Sequence, residues 1–446
     1  MLQFFAVGTH SENVGKLQKI EPPVLLASMK IAVVGAGIAG IATAFELMEA
    51  GNEVCIYEQH RTAGEEASFA PPGLMWPCVI NPWGATAFQN TLRLGLHRPA
   101  FAELDVHGNL LSASRRWARK YQSIAKKHSD TESIDALQAL EVQSMQRLQH
   151  AQELFDIDAQ FNAGLLLPLR KEPNAAALYE LTRRLSAAHV DYKQCTEAEA
   201  RALEPGLATE IRMAGALHLP QAWAGNGRLF SQGLLQALQS HGLQMLTQHA
   251  VTHIQPQNQG VRLITSTGEY DHDAVVLCAG EHTTQLLQGV GVRLPAAPIH
   301  GYSASIQIAE QSLAPRGSVI DLESSMVLTR QGTRLRISGG AELGWQSSPE
   351  RTEEALHQLI SVLLEWFPGS IQRSQSVLQT WRGVRMTVPD GLPVMGATGA
   401  PGVWINAAHG GYGWGLSMGC AHHVRQLIMG QTPAVDATAF ALGRFD

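Results

Sequence analysis

Gly35, Gly37 and Gly40 are the residues whose spacing speaks most directly of chemistry in this 446-residue chain. They sit in Lys30-Ile31-Ala32-Val33-Val34-Gly35-Ala36-Gly37-Ile38-Ala39-Gly40-Ile41-Ala42-Thr43-Ala44-Phe45-Glu46-Leu47. A diphosphate needs a close backbone and free N–H groups, and a glycine turn opening a helix supplies both. Gly35 would make the turn, Gly37 would let the backbone approach the phosphates, and Gly40 would let helix and strand touch. The N–H groups of Ile38 and Ala39 open the helix beneath the anion. Glu58, at the end of the next apolar run, would accept hydrogen bonds from ribose hydroxyls and repel a 2′-phosphate. Near the other end of the chain, His409-Gly410-Gly411-Tyr412-Gly413-Trp414-Gly415 is a second glycine loop before a helical run. It would aim N–H groups and a positive helix end at an electron-rich ring edge.

These residues require particular elements around them. An apolar strand must precede Gly35, a helix with Ile41, Ala44, Phe45 and Leu47 on its buried stripe must follow, and Glu53-Val54-Cys55-Ile56-Tyr57 must lie beside the first strand. Asp273 to Ala279, closed by Gly280, reads as a further buried parallel strand returning to the same sheet. Gly402 to Ala408 does so again before the second glycine loop. Between these returns, segments at 292–308, 319–329 and 334–339 alternate apolar and polar residues, which predicts an antiparallel sheet. The stretch 102–198 reads as mostly helical, 228–240 as an amphipathic helix, and 352–366 as a helix stopped by Pro368-Gly369. Arg61 to Gly84 is a long loop rich in Gly, Pro and Ala, of the kind that is functional when it carries Phe, Met and Trp.

The fold class expected is α/β: a discontinuous Rossmann-like cofactor-binding domain with an inserted antiparallel-sheet substrate domain. Residues 1–28 are expected to be a disordered extension, with either Met1 or Met29 as the natural start. The cofactor domain is expected at 29–104, 220–290 and 385–446, and the substrate domain at 105–219 and 291–384. Net charge of −6 with 16% charged residues gives no basic stripe for nucleic acid. The five cysteines are scattered, with no metal-ligand spacing, so no metal site is expected. No run of apolar residues is long enough to span a membrane.

Beyond these turns, Pro298-Ile299-His300-Gly301-Tyr302-Ser303 and the block Trp381-Arg382-Gly383-Val384-Arg385-Met386-Thr387-Val388-Pro389-Asp390-Gly391-Leu392-Pro393-Val394-Met395-Gly396 complete a pattern. With the Gly35 turn, Glu58, the loop Thr62 to Gly73 and the His409-Gly410 tail, it resembles the FAD-dependent D-amino-acid oxidase superfamily. Within that group it looks most like the bacterial D-amino-acid dehydrogenases of small-subunit type. Met386, His300 and the Pro71-Pro72 pair depart from the residues common there, and all three surround the expected substrate pocket.

The resemblance implies bound FAD and oxidative deamination of a D-amino acid, with hydride passing from Cα to the flavin and electrons onward to a quinone-linked respiratory acceptor. A cytoplasmic protein touching the inner membrane at most peripherally is implied with it. The alternative within the fold is a glycine- or sarcosine-type oxidase using O2; a catalytically silent NAD-binding protein is the reading of another class. The catalytic residues implied are Arg385 for the substrate carboxylate, Tyr302 as a hydroxyl donor to the same group, and His409 as a proton acceptor. Their structural alternatives are an arginine paired with Asp390 or Glu342, a packing tyrosine, and a histidine bonded to backbone. Ser68 and Gly73 would join the cofactor site, Gly73 by letting the backbone approach the isoalloxazine. Gly280, Gly410, Gly411, Tyr412 and Gly413 complete the expected set.

Overall fold

The computed structural model describes residues 28–76, 116–121, 123, 131–170, 175–343, 349–372 and 378–445. The expected extension therefore lies, except for Ser28, outside the described residues.

Lys30–Val34 is a strand with four consecutive buried residues, and it forms the middle of a six-stranded sheet. On one side it pairs in parallel with Glu53–Tyr57, which pairs with Gln244–Leu246. On the other it pairs in parallel with Ala274–Leu277, followed by Val403–Ala407 and the antiparallel edge Val394–Ala397. The chain thus leaves the first strand in one direction and returns on its opposite flank. That switch point is where open α/β sheets bind ligands, beyond the carboxyl ends of the strands. The helices Ile38–Glu49 and Ser417–Ile428 cover one face, with Ile41, Phe45, Met418 and Val424 in the same core. A three-stranded antiparallel sheet, Val251–Pro256, Val261–Thr265 and Glu269–His272, packs on the other face through Ile254 and Leu263.

The second unit is a nine-stranded sheet. Its path runs Gln379–Thr387, Ala297–Gln307, Arg334–Leu343, Met326–Gln331, Ser318–Asp321, Asn162–Leu169, Gly215–Ala224 and Leu74–Trp76, with Lys193–Cys195 paired to Gly215–Ala224. The helix Pro349–Trp366 covers one face, burying Leu359, Leu363 and Trp366 against Ile306, Leu335 and Ile337.

Four segments differ from the expected division, one of them Gly215–Ala224, a single strand of the large sheet that crosses the expected boundary at 220. The helix Thr131–Phe155 is not part of the sheet unit that 105–219 was expected to form. Leu137, Leu140, Leu148 and Ala151 lie in the core of the parallel sheet, and the backbone of Leu140 comes so close to Gly419 that a Cβ there would meet its carbonyl oxygen at 2.6 Å. Leu74–Trp76 crosses from the first unit to the edge of the large sheet. Gln379–Thr387 straddles the expected boundary at 385 as one strand. The described residues of 102–198 are mostly helical, as expected, with two strands among them. Asn162–Leu169 is a strand, bulged where Gly164 takes φ +96°, because its leucine run pairs with Gly215–Ala224.

Candidate active site

A cavity of about 660 Å³ runs from the carboxyl edge of the parallel sheet to one face of the nine-stranded sheet. At one end stand Tyr57, Glu58, Gln59 and His60, with Val251 and Thr252. Gly35, Gly37, Ile38, Ala39, Ser68 and Gly280 line the middle. At the far end are Met75, Gly301, Trp381, Arg385 and the whole loop from His409 to Gly415. The two glycine corners, distant in sequence, therefore open on one space.

The first corner is built as the sequence requires. Gly35 takes φ +102°, and a Cβ there would stand 2.6 Å from the carbonyl oxygen of Cys278. Gly40 lies outside the cavity lining and serves packing, since a Cβ on it would overlap the Gly35 carbonyl and touch Val33. Gly37 caps the helix without a side-chain bond, and the Ile38 N–H donates to Ser68 Oγ at 2.9 Å. Glu58 braces the turn as well as facing the cavity. One carboxylate oxygen accepts from the Ala36 N–H and the other from the His60 N–H, both at 2.8 Å.

At the far end, strand pleating decides which side chains face the cavity. Gly301 pairs with Gly383 in register, and a Cβ on either would overlap the Arg385 guanidinium or the Trp381 indole respectively. Both large side chains therefore lie flat over glycines on the cavity face. Arg385 Nη2 donates to the Gly340 carbonyl at 2.8 Å, and burial holds its pKa down to about 10, so it stays a cation at neutral pH. The two carboxylates weighed as its partners are engaged elsewhere: Asp390 by Arg444 at 2.8 Å, and Glu342 by the Tyr302 hydroxyl at 2.7 Å.

That second contact gives the Tyr302 hydroxyl a partner within the protein. Tyr302 contributes to the cavity wall, but it pairs with Gly339, whose face is turned to Leu359 of the covering helix, and it belongs to that core. Its hydroxyl proton goes to Glu342, and burial with that carboxylate pushes its pKa up. Alternation of period two places it opposite Gly301 and Ser303, away from Arg385.

The expectation for Gly73 is corrected. It does not line the cavity; with φ +96°, a Cβ there would meet Gln331 Nε2 at 2.8 Å and Gly225 O at 3.1 Å. Its carbonyl accepts from Gly225 N–H and Trp414 Nε1. Its neighbours Pro71, Pro72, Leu74 and Met75 supply the wall instead.

His409 is neutral. Burial lowers its pKa to about 4, and its Nε2 bonds Asn406 Oδ1 at 2.8 Å. An imidazole so weakly basic holds no proton taken from an ammonium group at neutral pH. Gly410, at φ +55°, begins the short turn Gly410–Tyr412 over Thr387, and Gly411, Tyr412 and Gly413 follow it along the wall.

Sequence reasoning missed several lining residues. Val251 and Thr252 come from the small antiparallel sheet, and Val327 and Ser338 from the large one. They arrive by long-range pairing and carry no local motif. Trp381 was visible in the block around Arg385, but only the glycine beneath it shows that it faces the cavity.

The family model described as DAO, FAD dependent oxidoreductase, matches residues 30–427. The chain belongs to this family. A D-amino acid dehydrogenase from Cereibacter sphaeroides is 30% identical over 432 residues, covering 94% of this chain and 95% of that protein. Another from Rhizorhabdus wittichii is 28% identical over 431 residues, covering 94% of this chain and 100% of that protein. Among solved structures, glycine oxidase from Geobacillus kaustophilus superposes with a TM-score of 0.69 at 22% identity, covering 93% of this chain and 99% of that one. L-proline dehydrogenase from P. horikoshii also gives 0.69, at 17% identity, covering 94% and 98% respectively. These likenesses show the D-amino-acid-oxidase type of fold.

The protein is thus an FAD-dependent oxidoreductase, and the cavity suits that cofactor. A cradle closed by Gly35 and Gly37, an acid at the adenosine end and a second glycine loop at the ring end are the parts a long two-headed dinucleotide needs. Among the described residues no group of His, Cys, Asp and Glu could hold a metal ion, and no helix is long and apolar enough to cross a membrane.

Proposed function

We propose that this protein oxidatively deaminates D-amino acids to 2-oxo acids and ammonia, and that its electrons pass to a quinone-linked respiratory acceptor rather than to O2. The observation that carries the reading is the Arg385 guanidinium, half-buried at the ring end of the cofactor cavity and laid over Gly301. A planar cation binds a carboxylate through two parallel hydrogen bonds, which orients the carbon beside it. The curated relatives' names support the D-amino-acid substrate and the dehydrogenase, rather than oxidase, chemistry.

In this reading Gly35, Gly37, Ile38, Ala39 and Ser68 hold the diphosphate, Glu58 the ribose, and Gly410 to Gly413 the ring edge. When bound, FAD supplies the two-electron acceptor for the hydride that leaves Cα. The chain supplies position: Arg385 holds the carboxylate, Trp381 and Met75 wall the side chain, and the apolar lining excludes water. Loss of the Cα hydride and of one proton from nitrogen leaves an imino acid; water adds to its C=N carbon and ammonia departs. With the substrate amine neutral, its lone pair assists hydride loss, so no strong protein base is needed.

The test is a panel of D- and L-amino acids, cyclic imino acids, glycine and sarcosine, assayed with a dye acceptor and then with O2. Dye reduction by D-amino acids with little hydrogen peroxide is expected. Peroxide at a matching rate, with glycine or sarcosine preferred, would instead establish the oxidase.

A further inference from the structure

In the wall of the cavity, with Cys278, Asn406 and His409 among its lining and Thr43 behind them, lies a chain of polar groups to which the proposed reaction assigns no role. Thr43 and Asn406 are both fully buried. Thr43, in the second turn of the nucleotide helix, donates its hydroxyl to the Ala39 carbonyl at 2.6 Å, the bond to the preceding turn that a helical threonine commonly makes. A hydroxyl has one proton. Its 2.9 Å contact with Asn406 is therefore one in which Thr43 accepts and Nδ2 donates. Asn406 must then turn Oδ1 toward His409, and Oδ1 can only accept, so the proton in the 2.8 Å contact belongs to His409 Nε2.

We propose that Asn406 is a positioning residue that locks His409 as the Nε2–H tautomer, leaving Nδ1 as a bare acceptor at the ring end of the cavity. The inference rests on the flavin-site reading only for what that acceptor meets; the tautomer follows from the hydrogen-bond directions alone. Turning the amide over would force Thr43 to abandon the Ala39 carbonyl. The Cys278 thiol, 3.6 Å from Thr43 Oγ1, reinforces the direction, because burial pushes its pKa up to about 12 and keeps its proton available to donate. Thr43 of the nucleotide helix thereby dictates, through Asn406, which ring nitrogen His409 leaves without a proton. The ligand chemistry that fits is an N–H donor, such as the substrate amine or a ring N–H of the flavin.

The experiment is ¹⁵N NMR of the FAD-loaded protein carrying labelled histidine, with the His409 signals assigned by their loss in His409→Gln. A protonated Nε2 and an imine-type Nδ1 are expected in the native protein and in Thr43→Ser, which keeps the hydroxyl. Thr43→Val and Asn406→Leu should give a tautomer mixture, with flavin content retained and kcat reduced about tenfold. A protonated Nδ1 in the native protein would overturn the proposal, as would an unchanged tautomer in Asn406→Leu. The native spectrum decides the matter even if a variant fails to fold. Failure of every amine substrate would sink the proposed function while leaving this result standing.

Discussion

The Arg385 guanidinium occupies the space that a side chain on Gly301 would fill. The arginine is thereby held against the sheet, with Nη2 on the Gly340 carbonyl and the guanidinium in the cavity wall. Gly301→Ala must push the guanidinium away while leaving the nucleotide end untouched. We expect full flavin content and a KM raised about tenfold or more. Arg385→Ala should cost about 3 kcal/mol of substrate binding, roughly a hundredfold in KM, the upper range for hydrogen bonds to a charged group. Steady-state kinetics on flavin-saturated protein checks both, and an unchanged KM in Arg385→Ala would remove its carboxylate role.

Glu58 gives each carboxylate oxygen to a backbone N–H, of Ala36 and of His60. Gln cannot replace it quietly, because its amide nitrogen would face one of those donors. Glu58→Gln should therefore loosen the Gly35 turn together with the ribose contact. Faster loss of FAD on dialysis and about a tenfold weaker Kd are expected, while KM for the amine in FAD-saturated assays stays near the native value. Identical FAD retention would show that the carboxylate serves the turn alone and leaves the ribose to other groups.

Burial lowers the pKa of His272, His409 and His423 to about 4 each, from an ordinary 6.5. Between those values the unfolded chain binds protons that the folded chain does not. Stability conferred by the neutral rings is thus complete above pH 6.5 and is lost as pH falls toward 4. His423 is fully buried and neither ring nitrogen has a hydrogen-bond partner. His422 opposes its protonation and Asp436 favours it, but desolvation outweighs both. His423→Leu should raise stability by about 1 kcal/mol at neutral pH by removing unsatisfied polar atoms. It should also shallow the decline between pH 6.5 and 4. Denaturant melts across that window test it; a steeper decline in the variant would contradict the assignment.

Much of the cofactor end was legible in the sequence because its signals are local. Gly35, Gly37, Gly40 and Glu58 lie within one strand–helix–strand unit, and the His409–Gly415 loop is punctuated by its own glycines. The substrate end was legible only in part. Arg385 stood out, yet which neighbours share its face depends on register: Tyr302 was one pleat away, and Trp381 faces the cavity only because Gly383 lies beneath it. Gly73 looked like a cofactor contact, and the close approach it permits is to Gln331 and Gly225, residues far along the chain. The helix Thr131–Phe155 was assigned to the substrate unit because amphipathicity reveals an apolar face without revealing what covers it.

That helix is fixed by charge as well as by packing. Glu46 is fully buried on the nucleotide helix and accepts from Arg147 Nε at 2.6 Å and from His422 Nδ1 at 2.8 Å. Arg147 also reaches Glu49, and its guanidinium lies 5.5 Å from the centre of the Phe45 ring. One side chain thus joins Thr131–Phe155 to Ile38–Glu49, the helix whose first turn lines the cavity. Arg147→Met keeps the apolar stem but leaves the buried Glu46 carboxylate with only His422 and, at 3.9 Å, Arg425, and losing one hydrogen bond to a charged group costs about 1.5–3 kcal/mol. The double variant Arg147→Met with Glu46→Gln should recover most of that loss, because no buried charge is left alone. We expect the single variant to unfold at lower denaturant and to release FAD on mild heating, and the double variant to do neither to the same extent. If the single variant is as stable as the native protein, the Arg147–Glu46 contact does not hold the helix, and docking rests on Leu137, Leu140, Leu148 and Ala151 with the His150–Glu49 contact.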